Sequence, residues 1–116
     1  MKNLKTIIFT LSIVPLLIIN SVNADCSYPK KDFVVPQGSN STEAEMVEVM
    51  NKVKTYQTAL GSYRACIDDE LKLISPELEN YAEIYDMQTK IYNASVEEEE
   101  NLAEEWGAAV KAFKSQ

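Results

Sequence analysis

The residues of this 116-residue chain whose chemistry is most tightly bounded are its two cysteines, Cys26 and Cys66. In an oxidising compartment two thiols allow a single intramolecular pairing, so a Cys26–Cys66 disulfide is expected; the competing arrangement is one bond to a second chain. Glu97 to Glu100, with Glu104 and Glu105, carries enough charge to attract a cation. It reads instead as a solvated helix face, with Lys52 and Lys54 expected opposite it as exposed ion pairs worth ~0.2 to 1 kcal/mol each. Asp68-Asp69-Glu70 is a weaker candidate, because consecutive helical residues point in different directions and the spacing and central glycine of a calcium loop are missing.

The chain contains no histidine, which removes the usual imidazole base, the commonest metal ligand and the ordinary pH switch near neutrality. A serine or tyrosine nucleophile would then need lysine or carboxylate as its base, on a narrow helical pair without a deep cleft. The expectation is a non-enzyme with no catalytic residue, no cofactor and no metal. Tyr56, Tyr63, Tyr85 and Tyr92 fall on two facing helical stripes, where they either pack a thin core with their hydroxyls at its edge or line a small groove. Asn40-Ser41-Thr42 and Asn93-Ala94-Ser95 match the glycosylation pattern and read as ordinary polar residues in a chain with a bacterial type of leader.

That leader comes first. Lys2 and Lys5 precede a mostly apolar run from Ile7 to Ile19, and Val22-Asn23-Ala24 fits the small-residue cleavage rule, so residues 1–24 read as a signal peptide cut near Ala24. The run is too short for an ordinary membrane span, which takes about 20 apolar residues. Asp25 and Asn23 do not suit a lipoprotein signal at Cys26. With 18 acidic and 11 basic residues in the whole chain, loss of Lys2 and Lys5 leaves 9 basic residues and a net charge of −9. Such an anionic surface argues against nucleic acid or anionic membranes as partners and permits a basic one.

Residues 25–41 read as an extended strap. Pro29 and Pro36 push their predecessors out of helical geometry, Gln37-Gly38-Ser39-Asn40 reads as a turn, and Phe33, Val34 and Val35 are apolar enough to lie on something. A strap tied to Cys66 must run back to Thr42, about 36 Å at ~1.5 Å per helical residue, and sixteen extended residues reach roughly 50 Å. It fits along the helix with slack for one turn.

The remainder, residues 42–116, reads as a helical hairpin with helices over about 42–74 and 76–114. Met46, Val49, Val53, Tyr56, Leu60, Tyr63 and Ile67 step by three and four, with Ile74 on the same row, which makes a coiled-coil seam that needs a partner helix. Thr42 and Glu45 form a capping box. Gly61 suggests close backbone approach or a bend. Ser75-Pro76 marks the corner, with Ser75 as a cap and Pro76 in the first turn of the next helix. The second stripe runs Leu78, Tyr81, Tyr85, Gln88, Tyr92, weakens through Ser95 and Glu99, and resumes as Leu102, Trp106, Ala109 and Phe113, so one continuous helix is the simplest account and Asn93-Ala94-Ser95 is the place where a bend or break would fall. Antiparallel folding then sets Tyr85 beside Ile67, Tyr92 beside Leu60, and Leu102 to Trp106 beside Met46 and Val49.

Cys26-Ser27-Tyr28-Pro29, Pro36-Gln37-Gly38, Thr42-x-x-Glu45-Met46, Lys54-x-Tyr56 and Tyr63-x-x-Cys66 together resemble small exported two-cysteine helical proteins of Gram-negative bacteria that have no assigned role. The resemblance covers about Cys26 to Cys66. It implies periplasmic residence and two cysteines, and carries over no functional residue.

The fold class expected is all-α: an antiparallel two-helix hairpin, strapped by an extended N-terminal segment and pinned by one disulfide. Val47, Met50, Leu73, Ile84, Met87 and Ile91 lie off the main seams and are the candidate interface. They point to a periplasmic or secreted binding or scaffold module that presents a helical face to a protein partner or to a second copy of itself. The alternative is a carrier of a small hydrophobic or aromatic ligand in the tyrosine-lined groove.

Overall fold

A computed structural model describes residues 26–116; the proposed leader and its cleavage site lie outside the described residues. Two helices, α1 (Glu43–Leu73) and α2 (Tyr81–Lys114), pack against each other as a hairpin, and no strand occurs among the described residues. The segment before α1 is extended and is bonded to α1 through Cys26–Cys66, whose α-carbons are 5.7 Å apart.

Local chemistry starts α1 where the sequence places it. Glu45 N–H donates to Thr42 Oγ1 at 3.2 Å and Thr42 N–H donates to Glu45 Oε2 at 2.8 Å, so two backbone donors that a helix start leaves orphaned are satisfied reciprocally. The helix ends at Leu73, and Ile74 turns to extended backbone two residues before Pro76.

The corner is longer than the sequence suggests. Ser75 and Pro76 do not start α2: Leu78 N–H donates to the Ser75 carbonyl and Tyr81 N–H to the Leu78 carbonyl, two successive turns, and α2 begins at Tyr81 behind Asn80. Ser75 Oγ accepts from Glu77 N–H at 3.3 Å inside this corner instead of capping α2. A single residue cannot carry the chain across the 8–10 Å that separate packed helix axes, so residues 74–80 are spent on the reversal.

This changes the register. Arg64 bonds to Ser95 and Glu99, and Gln88 to Glu70, so α2 sits about one heptad away from the expected alignment. The same stripe still faces α1, with Ser95, Leu102 and Ala109 buried at intervals of seven. The neighbours are different. Tyr85, expected beside Ile67, is 51% exposed while Ile67 is fully buried. α2 runs without a break through Asn93-Ala94-Ser95, as the single continuous stripe predicts.

Val35 of the strap joins Met46, Val53, Tyr56, Leu60, Leu102 and Ala109 in one core cluster, flanked by half-buried Phe33, Val49, Trp106, Val110 and Phe113. Extended chain alternates its side chains, so with Phe33 and Val35 turned inward Val34 faces solvent, 83% exposed, and does not cover the helices. The close approach attributed to Gly61 lies elsewhere. A Cβ at Gly61 would meet only the Arg64 guanidinium, at 3.9 Å, whereas a Cβ at Gly38 would overlap the carbonyl oxygen of Ala109.

Candidate interaction surface

The strap sets the chemistry of one face of the hairpin. From the disulfide it runs back along α1, with Tyr28 edge-on to Tyr63 at 5.0 Å and Phe33 edge-on to Tyr56 at 5.9 Å. Lys31 lies over the Phe33 ring and pairs with Glu105 of α2 at 3.7 Å. At the far end the Gly38 turn is held against α2, and the Gln116 side chain donates to the carbonyls of Gly38 and Ser41. The strap therefore touches both helices and is fastened at both ends.

The four tyrosines do not share a groove. Tyr56 and Tyr63 are buried beneath the strap, Tyr92 is half-buried and Tyr85 stands out near the start of α2, 6.1 Å from the Tyr81 ring. The Tyr56 hydroxyl donates to Glu98 Oε1 at 3.4 Å. Burial, followed by the Glu98 charge, pushes the Tyr56 phenol up to about 12, and burial raises Tyr28 in the same direction. Both effects hold the phenols protonated far above neutral pH, the opposite of what a phenolate base or nucleophile needs.

The glutamate run is divided by the helix. Glu97, Glu100, Glu104 and Glu105 are exposed, while Glu98 and Glu99 turn partly inward. Lys52 does not face the run; it pairs with Glu48 one turn earlier in α1, at 2.8 Å, and Lys54 is exposed. Two cations meet the run, Lys31 of the strap at Glu105 and the chain's single arginine: Arg64 Nη2 pairs with Glu99 at 2.5 Å, and Nη1 donates at 3.4 Å to both the hydroxyl and the carbonyl of Ser95. Ser95 is fully buried, and its hydroxyl in turn donates to the Tyr92 carbonyl at 2.7 Å. This cross-helix clamp is the functional-looking constellation that reading the sequence missed. The available signal was a lone arginine four residues beyond Leu60 in the α1 seam, facing a stripe that weakens to Ser95 and Glu99.

Metal-ligand spacing occurs once among the described residues, where Cys26, Cys66 and Glu70 come together. The two sulfurs are bonded to each other and offer no thiolate, so this is a disulfide with a carboxylate beside it. A cleft of about 370 Å³ opens between strap and α1, with Phe33 and Tyr56 in its wall and Lys30, Asp32 and Lys52 at its rim.

The six candidate interface residues separate into two patches. Val47, 46% exposed, and half-buried Met50 line a shallow apolar cleft with Trp106, Val110 and Phe113 at the open end of the hairpin. Leu73, Ile84, Met87 and Ile91 lie at the other end, beyond the disulfide. There no residue from 68 to 94 is buried; Leu73 is 85% and Met87 55% exposed, and Leu78, Tyr85 and Ile91 are also open to solvent. The strap explains the contrast. Three elements build a core from Cys66 to the open end, whereas two helices alone, too thin to bury their own side chains, form the arm beyond it. Gln88, on the seam of this arm, has a buried Oε1 with no hydrogen-bond partner.

No helix among the described residues is long and apolar enough to cross a membrane. No family model, curated protein or solved structure matches the chain.

Proposed function

We propose that this protein is a non-enzymatic binding or scaffold module of the cell envelope, exported to the periplasm or secreted, that presents a helical face to a protein partner. The observation that carries the reading is the unfinished arm: none of residues 68–94 is buried, and Leu73, Leu78, Tyr85, Met87 and Ile91 are left facing solvent by a chain that builds a closed core on the other side of its disulfide. Exposed apolar side chains gathered at one end of a small domain are what an interface requires. The disulfide and the leader-like N-terminus support export. Photo-crosslinking in intact cells, with the reactive group placed at Met87 or at Val47, tests the reading. A discrete crosslinked protein in the envelope fraction is expected, and its absence from both positions would remove the proposal.

A second reading is favoured by the cleft beneath the strap. Phe33 and Tyr56 offer aromatic surface and Lys30 a cation at the rim, a setting suited to a small aromatic or hydrophobic ligand. A melting-temperature screen against such compounds tests it, and a flat response across the panel counts against it.

A further inference from the structure

We propose that the arm beyond the disulfide receives a cationic amphipathic helix of another protein, seated on the Ile84, Met87 and Ile91 row of α2 with its basic face toward the acids of the arm. The inference rests on the binding-module reading and adds the place and the chemistry of the partner. Ile84, Met87 and Ile91 recur at intervals of three and four, so they form one ridge on α2. Ile84 and Met87 form the apolar part of a groove of about 440 Å³ that Asn80, Glu83, Asp86 and Lys90 also line. From Tyr81 to Tyr92 the arm of α2 runs ~17 Å, three turns, which matches a short helix laid along it.

Charge selects the occupant. Residues 68–93 contain seven acids (Asp68, Asp69, Glu70, Glu77, Glu79, Glu83, Asp86) against Lys72 and Lys90, a net charge of −5. Both lysines are already held within their own helices, Lys72 by Asp69 at 3.2 Å and Lys90 by Asp86 at 2.8 Å. A second copy of the chain would bring two such arms together with their charges opposed, and an anionic bilayer would be repelled in the same way. A helix with apolar residues on one face and lysine or arginine on the other satisfies ridge and rim together.

The probe is a synthetic helix with leucine on one face and lysine on the other, titrated into the oxidised protein and followed by fluorescence anisotropy, with a leucine and glutamate helix of the same pattern as control. The basic helix is expected to bind and the acidic one to bind at least tenfold more weakly. Met87→Ser with Ile91→Ser should weaken binding of the basic helix about tenfold or more, whereas Val47→Ser with Met50→Ser should leave it unchanged; all four sites are at least partly open to solvent, and circular dichroism confirms that each pair of changes leaves the helices intact. Glu83→Gln with Asp86→Asn should weaken it several-fold and flatten its dependence on salt. Equal binding of the two helices, or binding unaffected by the Met87 and Ile91 changes, overturns the inference. So does a dimer of the protein alone that those changes abolish, or arm-dependent flotation with anionic vesicles. If the basic helix binds only through Val47 and Met50, the arm is refuted as its site while the binding-module reading stands. That broader reading falls separately, on the absence of any crosslinked partner.

Discussion

Gly38 and Ala109 meet backbone to backbone. A Cβ on Gly38 would overlap the Ala109 carbonyl oxygen and would stand 3.0 Å from the Phe113 nitrogen, and Gly38 itself has a φ of +80°, in the left-handed region. Here the strap turns toward α1 while pressed on the last turns of α2.

Gly38→Ala is therefore expected to be destabilising on two counts. The backbone conformation alone costs an alanine roughly 1 to 2 kcal/mol, and the overlap must be relieved by moving the strap off α2. Gly61→Ala should act in the opposite direction and stabilise by up to ~1 kcal/mol, because an added methyl in this helix interior makes only an ordinary contact, at 3.9 Å, with the Arg64 guanidinium. Thermal unfolding of the two variants beside the parent decides the matter, and a stabilising Gly38→Ala would show that the strap is not held where the structure places it.

Loss of the disulfide should cost about 4 kcal/mol. The bond joins residues 40 apart in sequence, and chain entropy for a loop of that length gives a figure of this order. Urea denaturation of Cys26→Ser with Cys66→Ser against the oxidised parent measures it. Tyr28, 47% exposed even when tied down, should be the first strap contact to loosen, since it lies beside the bond.

Removing one partner of the cross-helix clamp should be more harmful than removing an ordinary surface pair. Arg64 and Glu99 have side chains 17% and 31% exposed, and without the carboxylate the guanidinium keeps only its 3.4 Å bonds to Ser95. Glu99→Ala should cost roughly 1 to 3 kcal/mol. Lys72→Ala, which breaks an exposed pair with Asp69, should cost no more than ~0.5 kcal/mol. Equal losses in denaturant titrations would mean that the clamp contributes nothing beyond a surface pair.

Alkaline pH should weaken the fold through Tyr56. Its phenol is raised from 10.0 to about 12, chiefly by burial and then by Glu98, so the folded state holds that proton more tightly than the unfolded chain. The resulting stability, on the order of 2 kcal/mol, is fully present below about pH 10 and is lost as pH rises through about 12. Tyr56→Phe should lower stability at neutral pH by about 1 kcal/mol, through loss of the bond to Glu98, and should flatten the alkaline decline. A parent and variant with parallel stability curves between pH 10 and 12 would contradict the raised phenol.

Thr42 and Glu45, the heptad row from Met46 to Ile67, and the pairing of Cys26 with Cys66 were all readable from the sequence, because capping and helical periodicity are local and two cysteines admit one internal bond. The seam alone could not fix which turn of α2 faces which turn of α1. A seven-residue repeat presents the same stripe after a shift of seven, so register passes to the length of the connection, and residues 74–80 set it through turns that Ser75-Pro76 does not announce. Only the tertiary fold could bring Arg64 to Ser95 and Glu99, set Gly38 against Ala109, or divide Val47 and Met50 from Leu73, Ile84, Met87 and Ile91. The first follows from the register that residues 74–80 set; the other two depend on where a strap tied at Cys66 runs, and on the thickness that two helices have without it.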